Sequence, residues 1–331
     1  MILFKYLDIK AVFFFCLLYS SFVTADQSIA HRLNFISDQL LNFEKNMNFK
    51  LLGGLQLTSS VSPDQRLMEF SGIAWDNDEQ SLVLLSDRGF IVHAKPVFTE
   101  GQLTDLLFIS YHRLLDKKGK PLRYKPSDSE GLALINSNNN RYNDTELLVS
   151  FERVPRVLRY ATDGKLLSKE KINNELNDIK NYKSENKSME AITLHNQYKI
   201  ITGPEKALDK NNTLSLHDLG NNEWLFNAEN EKHGSLVGLT TLPNDQIIAL
   251  ERIFPGVFAG VTNVIHLITL DKDSLKQERL VKLNPADGFN ENFEGISWHQ
   301  ANRFFMISDD NENIFQRSLL IYFEIPSLKI N

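Results

Sequence analysis

Phe70-Ser71-Gly72-Ile73-Ala74-Trp75 is the first of five related hexads in this chain. It returns as Ser129-Glu130-Gly131-Leu132-Ala133-Leu134 and as Met189-Glu190-Ala191-Ile192-Thr193-Leu194. It returns again as Leu236-Val237-Gly238-Leu239-Thr240-Thr241 and Phe293-Glu294-Gly295-Ile296-Ser297-Trp298. Each hexad is followed by a turn and a second apolar run that ends on charge. Those ends are Ser86-Asp87-Arg88, Phe151-Glu152-Arg153, Pro204-Glu205-Lys206, Leu250-Glu251-Arg252 and Ser308-Asp309-Asp310. From the small residue to the acid the steps are 15, 21, 14, 13 and 14 residues. The one long interval holds the polar insert Asn136–Asp144.

The repeats recur every 47 to 60 residues, near the length of a four-stranded propeller blade. Short β-rich runs separated by turn signals such as Asp76-Asn77-Asp78, Asp163-Gly164 and Pro243-Asn244-Asp245 agree with an all-β chain. The expectation is a β-propeller of five to six blades, six favoured. The sixth would lie in the weakly patterned Phe90–Tyr124 stretch or be shared between the chain ends.

Outward from the repeats, the N-terminus reads as an export signal. Lys5 and Lys10 precede an apolar run, Ala11–Tyr19, and Val23-Thr24-Ala25 suits a signal peptidase. Cleavage after Ala25 predicts a periplasmic or secreted protein with no membrane span in the mature chain. Cys16, inside this leader, is the only cysteine, so the mature chain has no disulfide, thiolate catalyst or Cys-ligated zinc. Ile29, Leu33, Ile36, Leu40, Phe43 and Met47 recur at steps of three and four, which predicts an amphipathic helix from Ser28 to about Asn46. The propeller domain is expected over 51–331.

The formal net charge is −6, and loss of the leader takes it to −7. That field does not favour nucleic acid. No Gly-x-Ser-x-Gly elbow, His-Glu-x-x-His motif or Walker loop is present. His93, His112, His195 and His299 fall at unrelated points of the repeats and read as structural.

In a propeller, equivalent residues face one axis. Glu130, Glu190 and Glu294, joined by Asp87 and Asp309, should therefore converge. Carboxylates so placed need protons or a cation between them. Hard oxygen ligands without Cys or His suit Ca²⁺ or Mg²⁺, and calcium is the better fit for an exported protein because it accepts irregular sites with many carboxylates. Arg88, Arg153, Lys206 and Arg252 follow the acids and could bind a small anionic or phosphorylated substrate. Glu130 or Glu294 is the candidate base, with Arg88 and Arg153 beside it. Equally, the acid–base pairs could be ion-pair struts between blades. Val237 and Ala191 interrupt the Glu-Gly pattern.

Several of these segments resemble one family. They are Gly53-Gly54, Ser71-Gly72-Ile73 to Ser86-Asp87-Arg88-Gly89, and Asp128 to Ala133. Phe151-Glu152-Arg153 with Arg156 and Tyr160, Glu190-Ala191, and Phe293 to Ile296 with Ser308-Asp309-Asp310-Asn311 complete the pattern. Over roughly Leu51 to Glu324, the chain is similar to the phytase-like family of exported bacterial proteins described as having esterase-like activity. The resemblance implies a β-propeller and a metal-assisted hydrolase of a phosphoester or related ester. The alternative is a non-enzymatic binding module for an anion or a protein partner. Neither the oligomeric state nor the substrate follows from the sequence.

Overall fold

A computed structural model describes residues 27–33, 48–208, 213–256, 258–311 and 316–330. The leader lies outside them. In chain order come β1 (Ala30–Arg32), β2 (Lys50–Leu57) and a small hairpin of β3 (Ser60–Ser62) and β4 (Gln65–Arg66). The first blade is β5 (Phe70–Asp76), β6 (Ser81–Ser86), β7 (Phe90–Thr99) and β8 (Gln102–Arg113). The second is β9 (Ser129–Ile135), β10 (Glu146–Phe151), β11 (Arg156–Ala161) and β12 (Leu166–Lys169). The third is β13 (Met189–His195), β14 (Lys199–Pro204), β15 (Leu214–Asp218) and β16 (Glu223–Phe226). The fourth is β17 (Gly234–Thr241), β18 (Ile247–Ile253), β19 (Thr262–Asp271) and β20 (Ser274–Leu283). The last joins β21 (Phe293–Gln300), β22 (Arg303–Ser308) and β23 (Leu319–Glu324) to β2 and β1 from the other end of the chain.

The described residues therefore form five blades, not the six favoured from sequence. Phe90–Tyr124 is no hidden blade, because β7 and β8 are the outer strands of the first one. Their ten and twelve residues explain the weak pattern: outer strands are less buried, and β8 is only partly so.

The N-terminal region also departs from expectation. Ala30–Arg32 is an edge strand, not the start of a helix, and pairs antiparallel with Leu55–Leu57. The Ile29 N–H donates to Leu106 O at 2.9 Å, and the Phe108 N–H donates to Gln27 O at 2.8 Å. Residues 27–32 thus lie between the last blade and the first. Pairing on both sides outweighs a local helical period, since propensity is a weak prior. The rest of the expected helix, 34–47, lies outside the described residues.

The five hexads are the innermost strands, β5, β9, β13, β17 and β21, each against the next around a closed ring. Every one carries a β-bulge at the same point. Ser71, Glu190, Val237 and Glu294 are each skipped by the pairing register, and Glu130-Gly131 together face Ser150. A bulge breaks strict alternation and re-aims a side chain. One step on, Ile73, Leu132, Ile192, Leu239 and Ile296 are buried and fill the axis, leaving a void of only about 10 Å³.

The glycines beside the bulges serve close approach rather than positive φ. A Cβ on Gly131 would lie 2.4 Å from Glu190 O and 2.6 Å from Ser150 Oγ; one on Gly72 would lie 2.9 Å from Glu130 O. Gly131→Ala is expected to cost about 1–3 kcal/mol through overpacking against backbone that cannot withdraw. Urea unfolding checks this, and an unchanged midpoint would mean that the blades yield freely there.

Candidate functional site

The bulges place acids from separate blades over the apolar plug. Oxygens of Glu130, Glu190 and Glu294 lie within 4.8 Å of one another, although they come from the second, third and fifth blades. Two more triads are as tight: Asp128, Glu130 and Glu152, and Glu152, Glu190 and Glu205. The acids at the ends of the second strands thus mesh with those of the bulges.

The register corrects the alignment of the fourth blade. Phe70 faces Ser86, Met189 faces Pro204 and Phe293 faces Ser308, so Asp87, Glu205 and Asp309 each lie one residue beyond. In the fourth blade Leu236 faces Glu251, so the equivalent of those acids is Arg252. Glu251 instead turns into the blade. It is wholly buried, accepts from the Glu229 and Asn230 N–H groups, and lies 2.9 Å from His266 Nε2. The outer ring therefore reads Asp87, Glu152, Glu205, Arg252, Asp309, and the bulge ring Ser71, Glu130, Glu190, Val237, Glu294. Two blades lack a bulge acid, the first with Ser71 and the fourth with Val237, and the fourth also carries a cation in place of an outer acid.

Arg252 joins the two neighbours. Its guanidinium donates to Glu205 at 2.9 Å, to Asn292 Oδ1 at 2.7 Å and to Glu294. Burial opposes its charge, but Glu294, Glu205, Glu190 and Asp309 hold its pKa above the ordinary value. Burial likewise opposes ionisation of Glu205, yet Arg252, Lys187 and the Ser235 hydroxyl keep its pKa low.

The opposite arc has no such cation inside it. Glu130 and Glu190 are buried, and neither carboxylate has a hydrogen-bond donor or an ion pair among the described residues. Desolvation, then neighbouring carboxylates, pushes both far above the ordinary range. Burial and Glu205 raise Glu152 to about 8. Burial and Glu69 raise Asp87 to about 8; burial and Glu294 raise Asp309 to about 9. Glu294 is raised too, by burial against the pull of Arg252. Asp87 and Asp309 share the ring but fall outside the three tight triads.

This donor set fits calcium. The ligands are all carboxylate oxygens from several directions. A separation of up to 4.8 Å matches two oxygens on one ion at about 2.4 Å each. Two buried carboxylates without partners are costly unless a proton or cation joins them.

The remaining predicted cations stand around the acids rather than among them. Arg88 pairs with Glu69, and Arg153 with Asp128. Lys206 donates to the His233 and Gly234 carbonyls, and burial lowers its pKa to about 8. Two cavities flank the ring on this face. One, of about 800 Å³, is lined by Asp87, Arg88, Asp128 and Arg153 together with Arg66 and Arg123. The other, of about 440 Å³, is lined by Glu205 and Arg252 with Lys187, Lys206 and Lys232.

Sequence reasoning left Asp128, Glu152 and Glu205 out of the ligand set, although Glu152 and Glu205 occupy the same repeat position as Asp87 and Asp309. His93, His112, His195 and His299 line neither cavity, whereas His233 lines the smaller one. His299 sits among Trp75, Phe98, Phe305 and Tyr322, where burial lowers its pKa to about 4; His195 lies 3.3 Å from Asp245. Trp75 and Trp224 are core residues, and Trp298 is partly buried against the core.

Five blades around an acid-lined, plugged axis define an all-β propeller with a polyanionic centre at one end. The chain belongs to the phytase-like family, described as esterase-like activity of phytase, whose model matches residues 65–312. No curated protein matches it in sequence. Among solved structures, it is similar to the WD40 domain of Neurospora crassa Pan2, at 12% identity and a TM-score of 0.39, covering 86% of this chain and 97% of that one. It is also similar to a gluconolactonase from Xanthomonas campestris, at 10% identity and a TM-score of 0.41, covering 90% and 96%. A luciferin-regenerating enzyme matches at 10% identity and a TM-score of 0.42, covering 82% and 96%.

Proposed function

We propose that this chain is an exported, calcium-assisted hydrolase of a phosphoester or related ester. One observation carries the reading: Glu130 and Glu190 are buried, unpartnered carboxylates inside triads of ion-coordinating spacing, beside two cavities rich in Arg and Lys. Glu130, Glu152, Glu190 and Glu294 would hold the ion, with Asp128, Glu205, Asp87 and Asp309 around them. Bound calcium supplies Lewis acidity, polarising an ester oxygen and lowering the pKa of water. The cations that would orient an anionic substrate are Arg88 and Arg153, at the rim of the larger cavity, and Lys206 and Arg252, in the smaller one. Glu130 is the favoured base and Glu294 the second choice, because Arg252 already engages Glu294. Among the described residues no helix is long and apolar enough to cross a membrane.

The test is hydrolysis of p-nitrophenyl phosphate and p-nitrophenyl acetate by the protein without its leader, with calcium and with EDTA. Calcium-dependent turnover is expected, falling about 100-fold or more in Glu130→Gln, the usual scale for a lost general base. No turnover of either ester while calcium still binds would leave the binding-module reading. Arg252 favours that second reading in part, since it is a strut between the third and fifth blades.

A further inference from the structure

The strand end that supplies Arg252 runs straight into the loop 254–261. Phe254 is 47% exposed and Phe258 is fully exposed, the most open large apolar side chain among the described residues. Large exposed aromatics on one short loop are informative, because single scattered apolar residues need no account but clustered ones mark contact sites. Both ends of this loop are tied down. The Phe254 N–H donates to His233 O at 3.4 Å, and the Val261 N–H donates to Asn290 Oδ1 at 2.7 Å. Gly260, at φ +71°, packs where a Cβ would meet Asn290 Oδ1 at 2.5 Å and Pro285 at 2.7 Å. These bonds anchor Phe254 and Val261, while the side chains of Phe254 and Phe258 remain exposed.

Phe254 and Val261 form a wall of the 440 Å³ cavity. Among the described residues, the other walls bring Lys187, Lys206, Lys232 and Arg252 together against one lining carboxylate, that of Glu205. The larger cavity differs. Its six Arg and Lys residues are met by Asp64, Glu69, Asp87 and Asp128. Both cavities have more cations than acids and some apolar lining, but the smaller one sets four cations against one acid, the larger six against four.

We infer that the cavity beside Arg252 takes amphiphilic anions: a phosphate or carboxylate head against Lys187, Lys206 and Lys232, and an apolar chain or ring against Phe254 and Val261, with the exposed Phe258 of the same loop free to meet the part of the chain that extends beyond the cavity. Resting on the hydrolase reading, this makes the substrate class monoesters of apolar alcohols rather than of polyols. The head binds as a charge-assisted ligand of the lysines, and the tail removes the exposed rings from water.

Calorimetric titration with n-hexyl phosphate and methyl phosphate, both below any micelle concentration, tests this on the whole protein without its leader. Hexyl phosphate should bind about tenfold or more tightly than methyl phosphate, from burial of a short alkyl chain. The double variant Phe254→Ala, Phe258→Ala should lose most of that preference, with methyl phosphate binding and melting temperature unchanged. Lys232→Met should weaken both ligands. Equal affinity for the two esters overturns the inference, as does a preference that survives the double variant. Equal binding of the soluble esters, with a Phe-dependent affinity for phosphatidic acid vesicles, also overturns it and makes the loop a membrane contact. Because the readout is binding and not turnover, failure of the calcium centre is seen separately in the EDTA comparison.

Discussion

Stripping divalent cations with EDTA will lower the melting temperature of this propeller, and the loss will grow as the pH rises. Asp87 and Asp309 start from an ordinary value of 3.8 and Glu152 from 4.5; the fold lifts them to about 8, about 9 and about 8. Folding thus takes up protons that the unfolded chain has released. Stability from this source is complete below about pH 4 and is lost as the pH climbs through 8 to 9. A bound cation replaces those protons, so calcium should help little at pH 5 and most at pH 9. At a calcium concentration about 100 times Kd the ion adds about 2.7 kcal/mol, or roughly 4 °C for a chain of about 300 residues. Melting followed by circular dichroism at pH 5, 7 and 9, with EDTA and with calcium, measures both trends. Glu190→Gln should shrink the calcium effect and raise the EDTA melting temperature at pH 9, since it removes a buried charge. Parallel curves at all three pH values would sink the metal centre.

Arg252→Met is expected to cost about 3–5 kcal/mol in the absence of calcium. The methionine fills much of the same space, but Glu205 and Glu294 are left buried without the cation that joins them. Breaking one side of a buried pair leaves an uncompensated charge, which is worse than never having had the pair. Calcium should recover part of the loss by occupying the vacated place between the same carboxylates. Glu205→Gln in the same chain should recover part of it too. Arg153→Met is the control. Its partner Asp128 lies at the rim and the arginine is 42% exposed, so the loss should stay within about 1 kcal/mol. Urea midpoints of the three proteins decide the matter; equal losses from Arg252 and Arg153 would make the central strut ordinary surface pairing.

The repeat was legible in the sequence because five inner strands face identical surroundings, and identical surroundings select the same small residue, the same apolar plug and nearly the same acid. Hence Glu130, Glu190 and Glu294 could be brought to one axis without coordinates. The outer strands face different neighbours, so nothing in Phe90–Tyr124 distinguishes two long outer strands from another blade. Ala30–Arg32 shows a second limit: its conformation is set by partners at Leu55–Leu57 and Leu106–Phe108, far away in the chain. The fourth blade shows a third. Glu251-Arg252 looks like Glu152-Arg153 and Glu205-Lys206, yet the register differs by one residue, and one residue in a strand reverses the face. A step of 13 where its neighbours have 14 was the only trace of this. The bulges have no signature beyond Glu-Gly itself, so the meshing of Glu152 and Glu205 with the inner acids needed coordinates.

The last blade is built from both ends of the chain, with β2 paired to β23 and β1 pinned against β8. This makes the ring a clasp that fastens late. Contacts between residues some 270 positions apart must form before the fifth blade exists, and pairings so distant in sequence are slow to find. Glu294 belongs to that blade, whereas Glu130 and Glu190 belong to blades made entirely from the middle of the chain. The triad of Glu130, Glu190 and Glu294 is therefore incomplete until the fifth blade docks, whereas the other two triads need only the middle of the chain. An ion held by that first triad would report closure of the whole circle, and its off-rate would be tied to the opening of the seam between the two chain ends.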